Sequence, residues 1–199
     1  HVGADTAGVI LAESPDSDNA MSLIVDVGTN AEIVLGNKDR LLVCSSPTGP
    51  AFEGGEISAG QRATAGAIER VRIDRETLEP KFRVIGSELW STEAGFEDST
   101  KELKITGICG SGIIEVVAEM FLAGVISEDG IVDGALAERS SRVRSHGRTW
   151  SYVLHFAEDE TQRDIVVTQN DVRQIQLAKA ALYAGIKLLM DKMGVSAVD

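Results

Sequence analysis

Asp26, Gly28, Thr29 and Asn30 close an apolar run in the stretch SLIVDVGTNAEIVLG, residues 22–36. A carboxylate at the end of such a run carries a desolvation cost unless something compensates it. A hydrated Mg²⁺ would do so, because it takes one or two carboxylates and keeps most of its waters. Gly28 lets backbone approach a phosphate, and the turn amides and the Thr29 hydroxyl can donate to its oxygens. The competing reading is a plain hairpin turn, which Gly-Thr-Asn also supports. A second glycine-rich stretch, GICGSG at 107–112, offers Gly110, Ser111 and Gly112 between a predicted strand and a predicted helix, where free amides and the helix dipole favour an anion. It lacks the lysine of a P-loop and the full dinucleotide fingerprint. Close packing of a helix on a strand explains its glycines equally well.

These residues need a scaffold. Three strands are predicted at Ser22–Val27, Ala31–Leu35 and Arg40–Cys44, joined by GTN and GNKD, which makes an antiparallel meander. The first strand is apolar on both faces, as in a central strand covered on both sides. IERVRID and FRVIGS predict two more strands around RETLEP, and residues 87–104 an exposed acidic loop. ITGIC predicts a short strand, followed by a helix from about Gly112 to Ala123 that Gly124 ends. Residues 134–150 carry Arg139, Arg142, Arg144 and Arg148 among few large apolar residues, which predicts a solvated connector or a contact for an acidic partner. SYVLHFA and DIVVT are extended. The last helix is the clearest element: Thr168 and Asp171 have capping-box spacing, Val172, Ile175, Leu182, Ile186 and Leu189 form its apolar stripe, and Gly194 closes it. Ala178, Ala181 and Gly185 allow a close neighbour.

Composition limits the function. The formal net charge of -12 argues against nucleic acid or an anionic membrane as a partner. No signal peptide or membrane-length apolar run is visible, so the expected compartment is the cytoplasm. Cys44 and Cys109 are expected to be reduced thiols, and no set of His, Cys, Asp and Glu has metal-ligand spacing.

Three blocks in order resemble the C-terminal part of the reductive activators of corrinoid proteins. They are VDVGTNAEIVLGNKDRLLVCSSPTGPAFEGGEISAGQRATAGAIERVRID, ITGICGSGIIEVVAEMFLAGVI and VTQNDVRQIQLAKAALYAGIKLL. Those activators are ATP-dependent iron–sulfur proteins of the actin, sugar-kinase and chaperone-ATPase (ASKHA) superfamily, in which two ribonuclease-H-like halves close over ATP. HVGADTAGVILA resembles the segment before the second half. The resemblance implies an α/β ribonuclease-H-like half-domain, with a mixed sheet, an antiparallel meander and flanking helices. Residues 1–21 would be a lead-in helix and loop, and 22–199 the second half, with an insertion at 46–104 and a cut before the adenosine motif.

By the same resemblance, Asp26, Gly28, Thr29 and Asn30 form the phosphate loop, with Asp26 reaching Mg²⁺ through water. Glu53 and Gly54, in AFEGGE, would face the cleft. The implied cofactors are ATP and Mg²⁺, with a [2Fe–2S] cluster in an N-terminal domain outside this chain. The implied partner is a corrinoid protein, returned from Co(II) to Co(I). No residue identifies itself as the catalytic base, and Glu32 reads either as a base or as a surface residue. Two other functions fit the same residues: a corrinoid-protein docking module with little nucleotide chemistry, and a small-molecule kinase of the superfamily. An isolated half is expected to be inactive and to bind ATP feebly, and a homodimer would cover the face it leaves bare.

Overall fold

The computed structural model describes residues 2–157 and 162–196. They form two compact units, residues 1–50 with 177–199, and residues 51–176.

The first unit begins with helix α1 (Ala4–Glu13) and a single 3-10 turn at Pro15–Ser17. The meander follows as predicted: β1 (Ser22–Val27), β2 (Ala31–Asn37) and β3 (Arg40–Ser46), all antiparallel, in the order β1-β2-β3. β2 is the central strand, and Ile33 and Leu35 bury against Leu189 of helix α4 (Gln169–Met193), whose part from Leu177 onward belongs to this unit. β1, expected in the centre, is instead an edge strand among the described residues. Its apolar outer positions stay open, with Leu23 48% and Val27 45% exposed. The small residues of α4 do what their size suggested. A Cβ on Gly185 would lie 2.6 Å from Ile33 Cδ1, and the Ser46 hydroxyl donates to the Ala181 carbonyl at 2.6 Å. Cys44 and Cys109 are both free thiols, and burial pushes the Cys44 thiol upward against the opposing charge of Lys192.

In the second unit β4 (Ile68–Ile73) and β5 (Pro80–Val84) pair as a hairpin. Its turn is fixed by Asp74, whose carboxylate accepts from the amides of Glu76 and Thr77 and from the Thr77 hydroxyl. Leu78 closes it at φ 62°, a left-handed conformation unusual for a bulky residue, and the Tyr152 hydroxyl donates to its carbonyl at 2.8 Å. The 87–104 segment is not wholly a loop. It contains helix α2 (Phe96–Thr100), because Phe96 buries and stacks edge-on against Phe82.

The predicted strand before the glycine-rich stretch contracts to Ile108, which bridges in parallel to both Gly60 and Ile68. These bridges supply the parallel pairing of an otherwise antiparallel α/β structure. Helix α3 (Gly110–Leu122) begins two residues earlier than predicted, so Gly110, Ser111 and Gly112 are its first turn rather than a loop before it.

The arginine-rich connector is also folded. Strands β6 (Val143–His146), β7 (Thr149–His155) and β8 (Ile165–Thr168) form a second antiparallel three-stranded sheet. Gly147, at φ 62°, opens the two-residue β6–β7 turn, a position that takes glycine in the favoured hairpin turns. α4 then starts on the predicted capping box. The Thr168 amide donates to Asp171 Oδ2 at 2.7 Å, and the Asp171 amide to Thr168 Oγ1 at 3.2 Å.

Strand β4 has outward amides at Val71 and Ile73, and α3 satisfies both. Val71 donates to Glu115 at 2.6 Å and Ile73 to Glu119 at 3.0 Å, while Arg72 bridges to Glu115 at 2.6 Å. Burial pushes the Glu115 carboxyl upward, but the Arg72 hydrogen bond, the Val71 amide and the charges of Arg72 and Arg70 outweigh it and hold the group below its ordinary value. A depressed carboxyl contributes stability fully above its unfolded value, about 4.3, and loses it as pH falls through the lower folded value. Urea unfolding at pH 7 and at pH 3 should show a smaller acid-induced loss for Glu115→Gln than for the wild type. Equal losses in the two proteins would show that this carboxylate does not carry the effect.

Candidate phosphate-binding site

The β1–β2 ladder places the first group of candidate residues. Val27 pairs with Ala31, so Gly28, Thr29 and Asn30 form a three-residue turn, and the Gly28 amide donates to the Asn30 carbonyl at 3.1 Å. One step back along the ladder Asp26 lies directly opposite Glu32, and Glu32 lies opposite Ser45 of β3. The two carboxylates are half-buried, and neither forms an ion pair with a described lysine or arginine. Glu32 only accepts from the Ser45 hydroxyl, at 2.9 Å.

Like charges opposite one another on a ladder are destabilising. A divalent cation at this edge would turn that repulsion into attraction. Two carboxylates suit Mg²⁺, which keeps most of its waters, and are too few for an all-protein cage. No group of three or more possible metal ligands occurs among the described residues. The turn therefore combines a carboxylate pair that calls for a cation with a glycine-containing loop able to approach phosphate.

Thr48, not singled out from sequence, holds the turn. Its buried hydroxyl reaches the carbonyls of Gly28 at 2.8 Å and Thr29 at 3.2 Å. The only sequence signal was a hydroxyl residue shortly after β3, in SSPTGP, which any loop could contain. Thr48→Val keeps the shape and removes the donor. We expect it to weaken Mg-ATP binding by about 3- to 10-fold, roughly the worth of one hydrogen bond, with little change in melting temperature. Unchanged affinity would mean that the turn is held without Thr48.

The second group of candidates comes together in the second unit. Pro50–Glu53 is a 3-10 turn, and Gly54 follows at φ 86° with its amide donating to the Ala51 carbonyl. Gly110 packs against this loop: a Cβ there would lie 2.0 Å from the Phe52 oxygen and 3.6 Å from Glu53 Cα. Gly112 packs against β4, where a Cβ would lie 2.3 Å from the Ile68 oxygen. Both glycines are thus needed for close packing of α3, whatever else its first turn does. Cys109 is the N-cap of α3 and its side chain makes no capping hydrogen bond; its thiol donates instead to the Ile68 carbonyl at 3.4 Å. Glu53 is exposed and Gly54 buried.

The arginines predicted for an acidic partner divide by role. Arg139 donates to the Arg75 and Glu76 carbonyls, Arg142 pairs with Glu79 at 2.8 Å, and Arg144 pairs with Asp164 at 2.9 Å. Arg142 and Arg144 also lie over the Phe156 ring. Three of the four therefore serve the fold. Arg148 makes no hydrogen bond or ion pair to a described residue.

A family model described as the C-terminal domain of RACo, the ASKHA domain, matches residues 20–199. The chain is 34% identical, over its whole length, to the corrinoid activation enzyme RamQ of Eubacterium limosum. Over 64% of its length it is 33% identical to the [Co(II) methylated amine-specific corrinoid protein] reductase of Methanosarcina barkeri. It spans 31% and 24% of those two proteins respectively. Among solved structures, a reductive activator for corrinoid, iron–sulfur protein superposes with a TM-score of 0.82 at 34% identity, over 98% of this chain and 29% of that one.

Proposed function

Because the chain belongs to the family of the C-terminal ASKHA domain of RACo, we propose that it supplies one phosphate-binding half of the nucleotide cleft in an ATP-dependent reductive activator of a corrinoid protein. The observation that carries this reading is the Asp26–Glu32 pair beside the Gly28-Thr29-Asn30 turn. Asp26 holds Mg²⁺ through water, and the turn amides with the Thr29 hydroxyl orient the phosphate oxygens. On the family resemblance, Glu53, Gly54, Gly110, Ser111 and Gly112 join them among the nucleotide-contacting residues. Domain organisation follows the same reading, with residues 1–21 as lead-in and 22–199 as the half-domain.

Mg-ATP, when bound, supplies the free energy for an uphill one-electron reduction. One relative is named as a reductase of a Co(II) corrinoid protein, which supports Co(II) as the acceptor, and the family resemblance implies Co(I) as the product. The electron comes from the [2Fe–2S] domain that the resemblance assigns outside this chain. The free thiols Cys44 and Cys109 belong to no group of three or more possible ligands among the described residues, and neither is proposed as a cluster ligand. No described helix is long and apolar enough to cross a membrane.

The test is an anaerobic mixture of the intact activator, its reductant and its Co(II) corrinoid protein, followed optically for Co(I). Appearance of Co(I) only with Mg-ATP supports the reading. Reduction at the same rate and extent without nucleotide would overturn it.

A further inference from the structure

Arg148 has a partner in function, if not in hydrogen bonding. On α4, Gln169, Arg173 and Gln176 fall at i, i+4 and i+7, on one face of the helix. The two glutamines hold the 127–132 turn. Gln169 donates to the Gly130 carbonyl at 2.6 Å and accepts from the Val132 amide at 2.9 Å, while Gln176 donates to the Asp129 carbonyl at 3.0 Å. That turn presents Ile131 outward, 54% exposed. Opposite, the two-residue hairpin turn fixes Arg148, and Trp150 lies so close on Gly134 that a Cβ there would be 2.2 Å from the indole. Between them is a groove of about 330 Å³, whose charged lining residues are Arg148 and Arg173 alone. Neither guanidinium pairs with a described residue, and Glu128 and Asp129 of the adjacent turn do not line the groove.

We infer that this groove docks an acidic segment of the corrinoid protein. A carboxylate of that segment sits between Arg148 and Arg173, and a neighbouring apolar side chain rests on Ile131, Val132 and Trp150. Charge complementarity selects the occupant. Two unpaired arginines in a chain of net charge -12 call for an anion, and the planar guanidinium matches a carboxylate with two parallel donors. The apolar wall calls for a side chain beside that anion, which a free inorganic ion lacks. A nucleic-acid backbone is disfavoured by the overall negative charge. The walls are held by hydrogen bonds to main chain, so little ordering accompanies binding. The identity of the partner rests on the proposed function. The chemistry of the segment rests on the groove.

The experiment titrates the intact activator with its Co(II) corrinoid protein by calorimetry, at low and high salt. It compares the wild type, the double variant Arg148→Glu/Arg173→Glu, each of its single variants, Ile131→Ser, and Arg75→Glu as an exposed control matched in charge to the single variants. We expect the double variant to raise Kd by at least about tenfold and to lose most of the salt dependence, and Ile131→Ser to raise it several-fold. Arg75→Glu should stay within about twofold, and Mg-ATP affinity should be unchanged throughout. If the wild type binds and the double variant binds equally well, the groove assignment falls while the proposed function stands. Loss of binding in Ile131→Ser alone would overturn the acidic character of the segment. A wild type that binds no corrinoid protein under any nucleotide condition would overturn both.

Discussion

Asp26→Ala in the intact activator is expected to weaken Mg-ATP binding by about 30- to 1,000-fold, the equivalent of about 2–4 kcal/mol. In the proposed function this carboxylate meets the hydrated cation, so removing it would leave only the turn amides and the Thr29 hydroxyl for the phosphates. The same change should act on the nucleotide-free protein with the opposite sign. It removes one of two like charges facing each other at the Asp26–Glu32 rung, so stability without nucleotide should be unchanged or higher by a few tenths of a kcal/mol. Calorimetry with Mg-ATP and a melting curve without it read the two effects separately. Affinity within twofold of the wild type would reduce the turn to an ordinary hairpin. A large drop in melting temperature would make Asp26 a structural residue instead.

The second large effect is at Asp171, whose side chain is buried, with the residue 1% exposed. Its carboxylate does more than complete the capping box. Oδ2 accepts from the Thr168 amide, and Oδ1 accepts from both the amide and the hydroxyl of Ser58, at 2.8 and 3.0 Å. Asp171→Ala removes the acceptor from the buried Thr168 amide and from the amide and hydroxyl of Ser58, a residue that is itself exposed. Each lost hydrogen bond to a charged group costs about 1.5–3 kcal/mol where water cannot replace it, and the Ser58 donors can turn to water, so we expect about 2–4 kcal/mol. That is a large share of a typical domain's 5–15 kcal/mol. Asp171→Asn keeps one carbonyl oxygen to accept from Ser58 but turns a donor toward the Thr168 amide, so it should fall between. Urea unfolding measures all three proteins. A loss below about 1 kcal/mol for the alanine variant would show that water or other groups replace the carboxylate.

The capping box shows how far a local pattern reaches. Thr168 and Asp171 are three residues apart, and helix-end chemistry predicted their reciprocal bonds. The bonds from Ser58 to the same carboxylate had no signal, because no periodicity links positions 113 residues apart. The meander was legible for a similar reason: short polar connections force neighbouring strands to pair. Its depth was not. β1 is apolar on both faces, which pointed to a central strand, but apolarity records what a strand prefers to cover and not what covers it.

At Gly110 and Gly112 two readings predicted the same residues. Phosphate approach and close packing both require glycine, and only the position of the Phe52 and Ile68 oxygens shows packing at work. The arginine-rich segment was read by composition, which hid its hairpin. Gly147 at the centre of VRSHGRTWS was the available sign. Thr48 was hidden because a single loop hydroxyl carries no pattern of its own.

The tie between Ser58 and Asp171 also sets a schedule for synthesis. Ribosomes add about 5–20 residues each second, so the Ser58 amide emerges roughly 6–23 s before the carboxylate that will accept from it. Through that interval the 51–61 loop is made without the carboxylate that will accept from Ser58. A nascent chain therefore offers its unfinished second unit to chaperones throughout that interval, and slowing the ribosome before Asp171 should lengthen the exposure in proportion.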